Sequence, residues 1–210
     1  MDDQTTTSSA DERRSPRDRR RMIAAILAGG VVLGIGTAVT LAVWNDSEFA
    51  TGTFSSGQFD LEGSTDGAAF SSSPTTPGKT LTFTLDADAL SPGAVVYAPF
   101  AVQLSADSDY AADVALLNTI AGTIGENLTF SLYEEAAFGT TCSAATPPVG
   151  TALVTDRAAN ASGSVDLFDL TAVTDPVNLC FVVTAAATLP QAATGTVTWD
   201  FAGTSTTPLP

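Results

Sequence analysis

Residues 95–116 read VVYAPFAVQLSADSDYAADVAL. Val96, Ala98, Phe100, Val102 and Leu104 fall on one side of a two-residue repeat. After the polar turn Ser105–Asp109 the repeat resumes with Tyr110, Ala112, Val114 and Leu116. Period two belongs to a pleated strand with one buried face, whereas a helix repeats its apolar positions at three and four. Pro99 has no N–H to give to a ladder, so it belongs at an edge or a bulge.

The same pattern extends on both sides. Leu81, Phe83 and Leu85 alternate with Thr80, Thr82 and Thr84, which predicts a half-buried strand closed by the turn Ser91-Pro92-Gly93. Residues 62–79, EGSTDGAAFSSSPTTPGK, read as a loop rich in Gly, Ser and Pro. Thr53–Leu61 alternates only weakly, with Phe54, Phe59 and Leu61 among small polar residues. Toward the other end, residues 117–126 admit one short helical turn. Strands are expected around Leu128–Leu132, Thr151–Val154, Val165–Leu170, Val177–Ala185 and Val197–Phe201, with a loop over Gly139–Gly150. About eight short strands with turns between them predict an all-β fold, an antiparallel two-sheet β-sandwich of jelly-roll-like type. The sandwich is expected over 62–203, with 204–210 (TSTTPLP) as a flexible tail.

The amino-terminal part is of another kind. Residues 1–21 are polar and end in an arginine-rich stretch, Arg13–Arg21, with Asp18 as its single acid and a net charge of +5. Met22–Val43 follows without one charge. A basic stretch before an apolar run is the pattern of an export signal, here 22–42. The run is long enough for a transmembrane helix, so an uncleaved anchor is the alternative. Its glycines make it weakly hydrophobic and better suited to passing through. Thr40 and Ala42 put small residues at −3 and −1, which predicts cleavage between Ala42 and Val43. The arginine cluster also fits a twin-arginine signal, but the general secretory route needs only the positive charge and is preferred. The expected destination is outside the cell, with membrane contact only through the signal segment.

From Val43 onward two cations, Lys79 and Arg157, face 18 acids, a net charge of −16. That field repels phosphate backbones, so no nucleic-acid partner is expected. The chain has no histidine, which excludes a Ser-His-Asp triad, a Cys-His dyad and a His-based zinc site. Asp86/Asp88 and Asp107/Asp109 offer oxygens for calcium and read equally well as solvated turn acids. No catalytic, cofactor-binding or metal-ligating residue is assigned, and no cofactor is expected. Cys142 and Cys180 are the only cysteines, and an even count behind an export signal predicts one disulfide between them.

Thr40-Leu-Ala42, Val43-Trp44-Asn45-Asp46, Ala50-Thr-Gly-Thr53-Phe54-Ser55-Ser56-Gly57 and Asp60-Leu61 together resemble the TasA/camelysin family of bacterial exported proteins. Ala89-Leu90-Ser91-Pro92-Gly93 and Thr196-Val197-Thr198-Trp199-Asp200-Phe201 are similar to a turn and the last strand of that family. The arginine-rich leader and the cysteine pair depart from the TasA pattern and suggest a branch in high-GC Gram-positive bacteria. The resemblance implies a jelly-roll domain, processing by a SipW-type signal peptidase, and secretion into the matrix or onto the wall. It also implies self-association into fibres, the segment after cleavage serving as a donor strand for the next subunit. In this chain 43–61 is that candidate segment, with Trp44, Phe54, Phe59 and Leu61 as its apolar anchors. The competing expectation is that it folds back as an edge strand of its own domain. Camelysin-like members are described as metal-dependent proteases, a secreted-hydrolase alternative that the missing histidines disfavour. A monomeric surface-binding module is the third expectation.

Overall fold

The two-residue repeats of 95–116 become two strands that lie in different sheets, with the polar turn as the corner between them. The computed structural model describes residues 16–39, 48–84 and 87–210, with the backbone alone over 29–39. The strands are β1 (Leu61–Ser64), β2 (Val95–Leu104), β3 (Tyr110–Gly122), β4 (Leu128–Glu135), β5 (Thr151–Ala158), β6 (Val165–Leu170), β7 (Val177–Ala185) and β8 (Gly195–Pro208). They form a five-stranded sheet in the order β1-β2-β7-β4-β5 and a three-stranded sheet in the order β6-β3-β8. Every strand pair is antiparallel. The chain alternates between the sheets, and β2-β7-β4-β5 with β8-β3-β6 is the order of a jelly roll. In that fold the first strand lies beside the last. Here β1 lies outside β2 instead.

The expected inward faces are the buried ones. Val96, Ala98, Phe100, Val102 and Leu104 of β2 meet Ala112, Val114 and Leu116 of β3 in one core with Phe130, Leu132, Leu179 and Phe181. Trp199 and Phe201 of β8 join the sheets through aromatic contacts. Phe181 lies 4.8 Å from Trp199 and 6.2 Å from Phe201, and Phe100 lies 5.5 Å from Phe201, centroid to centroid. Such pairs add about 0.5–1.5 kcal/mol each beyond area burial.

Three expectations change. Thr80–Thr84 is not a strand, although Leu81 and Phe83 do pack on the core; Leu85 lies outside the described residues. Ala185 N donates to Ala94 O, and the alternation of the ladder then turns the backbone of Tyr97 and Pro99 away from β7. Thr84 N reaches Tyr97 O at 2.8 Å on that outer side, but the next outward position is Pro99, which has no hydrogen to give. The ladder stops there, in keeping with Pro99 at an edge. Second, β3 runs on to Gly122 before the short helical turn Ile124–Asn127. Third, the tail is not free: Thr204–Pro208 continues β8 beside Tyr110–Asp113, and Leu209 N donates to Asp109 O at 2.8 Å. The stretch is exposed and shows no apolar repeat, and its threonines suit a strand held by backbone bonds.

The chain divides into two units, Met1–Thr53 and Phe54–Pro210. The first contains helix α1 (Pro16–Val39). Pro16 suits a first helical position and Asp18 complements the helix dipole there. Met22, Ile23, Ile26 and Leu27 of this helix are exposed. Among the described residues no helix is long and apolar enough to cross a membrane, so the expected transmembrane helix is not met there.

Candidate assembly surface

The predicted junction residues fall into three groups. Thr40, Ala42, Val43 and Trp44 lie outside the described residues. Phe54 is 93 % exposed, and so is Phe49 at 90 %, in a stretch 48–60 without strand pairing. Phe59 and Leu61, by contrast, are half-buried against the domain's own core. The segment proposed for pairing is thus divided, its later part already used within the same chain.

The dividing point is a polar corner built by the turn Ser105–Asp109. Gln58 N donates to Asp109 Oδ2 (2.6 Å), Asp109 N donates to Gln58 O (2.9 Å), and Asp109 O accepts from Leu209 N. Two residues on, Ser105 N donates to Asp60 O (3.0 Å) and Asp60 N to Ser108 Oγ (3.1 Å). Asp109 therefore ties both ends of the domain to the start of β3, with one N–H on its carboxylate; Asp86, paired with Asp88 in the calcium reading, lies outside the described residues. The signal for this role was weak: an acid in a polar turn looks the same whether it meets water or a distant backbone. Gly57 is required at the exit, because a Cβ there would stand 2.6 Å from the Tyr110 ring. Gly203 of β8 is similarly covered, since a Cβ would come 2.5 Å from Leu61 and 3.1 Å from Phe59.

These contacts give a direction. Leu61 lies at Gly203, and Gly57 lies at Tyr110, which pairs with Pro208. The segment 57–61 thus runs antiparallel to the end of β8, its side chains over that strand, before β1 crosses to β2. Followed backward, the chain leaves the domain at the carboxyl end of β8.

The other half of the surface is the outer edge of β8. Among the described residues no strand pairs with it. Natural edges are blunted by shortness, bulges, charge or proline. β1 has four residues, β6 has six and a register shift, and β5 has two shifts and Asp156 at φ 43°. β8 has fourteen residues in unbroken register from Gly195 to Ser205, with Asp200 as its one charge and proline only at its end. It is the unprotected edge, and the position beside it is the one a jelly roll's first strand fills.

On the outer face of the five-stranded sheet, Cys142 and Cys180 form the expected disulfide, with Cα atoms 5.5 Å apart and both residues buried. It ties the loop 139–150 to β7. Glu135, also buried, closes the same loop: Oε1 accepts from Val149 N (3.0 Å) and Gly150 N (3.1 Å), and Oε2 accepts from Thr141 Oγ1. Sequence patterning does not reveal Glu135, because its partners are backbone groups of a loop without regular structure.

Elsewhere the acids are dispersed. Glu134, Asp169 and Asp175 line a shallow cleft with Asn178, and no group of three metal-ligating side chains occurs among the described residues. Asp66 has its carboxyl lowered to about 2 from 3.8 by the backbone N–H groups of Ala69 and Ala68 and the Ser64 hydroxyl. Both cations of the domain are engaged with neutral partners. Lys79 Nζ donates to Ser71 Oγ, and Arg157 donates to Asn118 Oδ1 and the carbonyls of Ser162 and Gly163. The chain matches no protein-family model and no curated protein.

Proposed function

We propose that this chain is an exported, non-enzymatic structural protein that assembles head to tail by strand addition. In this reading the arm 43–57 of one copy pairs with the outer edge of β8 in the next. The observation that carries it is the unprotected β8 edge, together with the stretch 48–57, which has no strand pairing among the described residues. A free edge offers main-chain donors and acceptors in register, and an arm with apolar residues two or more positions apart can supply the partner. One edge receiving a different surface is a heterologous contact, and such contacts propagate into filaments unless they close into a ring. The resemblance of the junction to the TasA/camelysin family supports the same reading. It adds the processing partner, a SipW-type signal peptidase acting between Ala42 and Val43, and a place in the extracellular matrix or at the cell surface.

The test is amino-terminal sequencing of the secreted protein followed by electron microscopy of the purified form. A start at Val43 and filaments are expected. The double variant Thr51→Pro/Thr53→Pro removes two ladder donors from an unpaired segment, and it is expected to stay monomeric with an unchanged thermal midpoint. Persistent monomers of the parent protein across concentration and salt would sink the assembly reading, and retention of the apolar run would sink the processing one.

A further inference from the structure

The elements that mate in this reading carry acids and no cation, like the strongly anionic domain they belong to. The arm 43–57 carries Asp46 and Glu48 just ahead of the uncharged stretch 49–59, β8 carries Asp200, and the chain from Val43 has a net charge of −16. Its two cations bond neutral groups, so neither offsets a neighbouring carboxylate locally. The sheet that ends in β8 is acidic across its exposed face. Asp113 of β3 stands directly opposite Asp169 of β6, Asp166 lies opposite Ala115, and Asp200 lies opposite Leu117. Like charges directly across a ladder are unfavourable, and nothing on that face compensates them. We infer that ionic strength gates assembly: diffuse screening by small cations, without a specific binding site, lets an acidic arm and an acidic edge on mutually repelling bodies meet. The inference rests on the strand-addition reading and adds its control.

The lengths involved make the gate steep. At about 10 mM salt the screening length is about 30 Å, comparable to a whole domain, so each subunit feels the full charge of the next. At about 150 mM it falls to about 8 Å, and only groups at the contact itself interact. Those groups are Asp46, Glu48, Phe49, Phe54 and small uncharged residues on one side, and β8 with its threonines and Asp200 on the other. Repulsion between the bodies is thereby reduced to these few acids while main-chain bonding and apolar contact remain. Monovalent and divalent salts are equivalent in this scheme once ionic strength is matched.

The experiment follows elongation of the secreted form by light scattering and electron microscopy, with NaCl raised from about 10 to about 500 mM. A rise of at least about tenfold in elongation rate is expected, in line with electrostatic control of association between like-charged proteins. MgCl2 at matched ionic strength is expected to act alike, and the variant Asp113→Asn/Asp169→Asn/Asp200→Asn to elongate at lower salt. Equal elongation at both ends of the titration overturns the gate and leaves strand addition standing. A response to Mg2+ alone overturns it in favour of specific metal bridging. Salt-driven assembly that persists in Thr51→Pro/Thr53→Pro shows that association does not use the arm, and both readings then fall. An absence of filaments at every salt concentration overturns both as well.

Discussion

Asp66 and Glu135 show two ways in which this acidic chain uses a carboxylate where no cation is at hand. Asp66 is open to solvent and lowered to about 2, first by the Ala69 N–H, then by those of Ala68 and Ser64's hydroxyl. A carboxyl lowered on folding stabilises the native state above its ordinary value and loses that contribution as pH falls through the folded value. The window is therefore about 3.8 down to 2. Thermal melts in that range are expected to show a pH-dependent fall that Asp66→Asn flattens. Glu135 is buried, and three donors converge on it. Glu135→Ala leaves the N–H groups of Val149 and Gly150 unpaired and is expected to cost about 3 kcal/mol in urea unfolding. Trp199 is the exception, with an indole N–H buried against no acceptor. Its ring packs against Phe130 and Phe181.

Among the elements, the disulfide and the strands are held by different means. Closing 38 residues of sequence removes about 4 kcal/mol of unfolded-state entropy in the chain-entropy model. Cys142→Ser/Cys180→Ser is expected to lose stability of that order in chemical unfolding, with far-UV circular dichroism unchanged because the loop contributes no strand. Legibility followed burial. β2, β3, β4 and β7 were readable because one face of each is buried, and alternating Phe100, Val102 and Leu104 can mean little else. Thr204–Pro208 was not readable, because a strand held only by its ladder leaves no apolar pattern. Thr80–Thr84 failed in the opposite sense: the pattern was present, but a proline on the neighbouring strand denied it a partner. The disulfide was legible from the cysteine count together with the expected export signal. The corner at Asp109 and the free edge of β8 were not, since both arise from which strands become neighbours.

For the molecule as a whole, the proposed export and assembly rest on the two ends of one chain. The leader and cleavage residues are read from sequence, whereas the acceptor edge appears only when the sheets are assembled. The proposed non-enzymatic reading expects no proteolysis in a casein-cleavage assay with and without chelator. The corner where Gln58 and Leu209 both bond Asp109 has a mechanical meaning in a filament. A pull on the arm enters the domain through Gln58 and Asp60, passes into the turn Ser105–Asp109, and reaches β2 and β3 at their adjoining ends. The β3–β8 ladder lies along that line, so its bonds meet the load together in shear, whereas a perpendicular pull would open them one at a time. In the proposed filament the Asp109 corner carries part of that load. Asp109→Ala is expected to lower the rupture force of a stretched fibre, measured by force spectroscopy, more than it lowers the melting temperature of the free subunit.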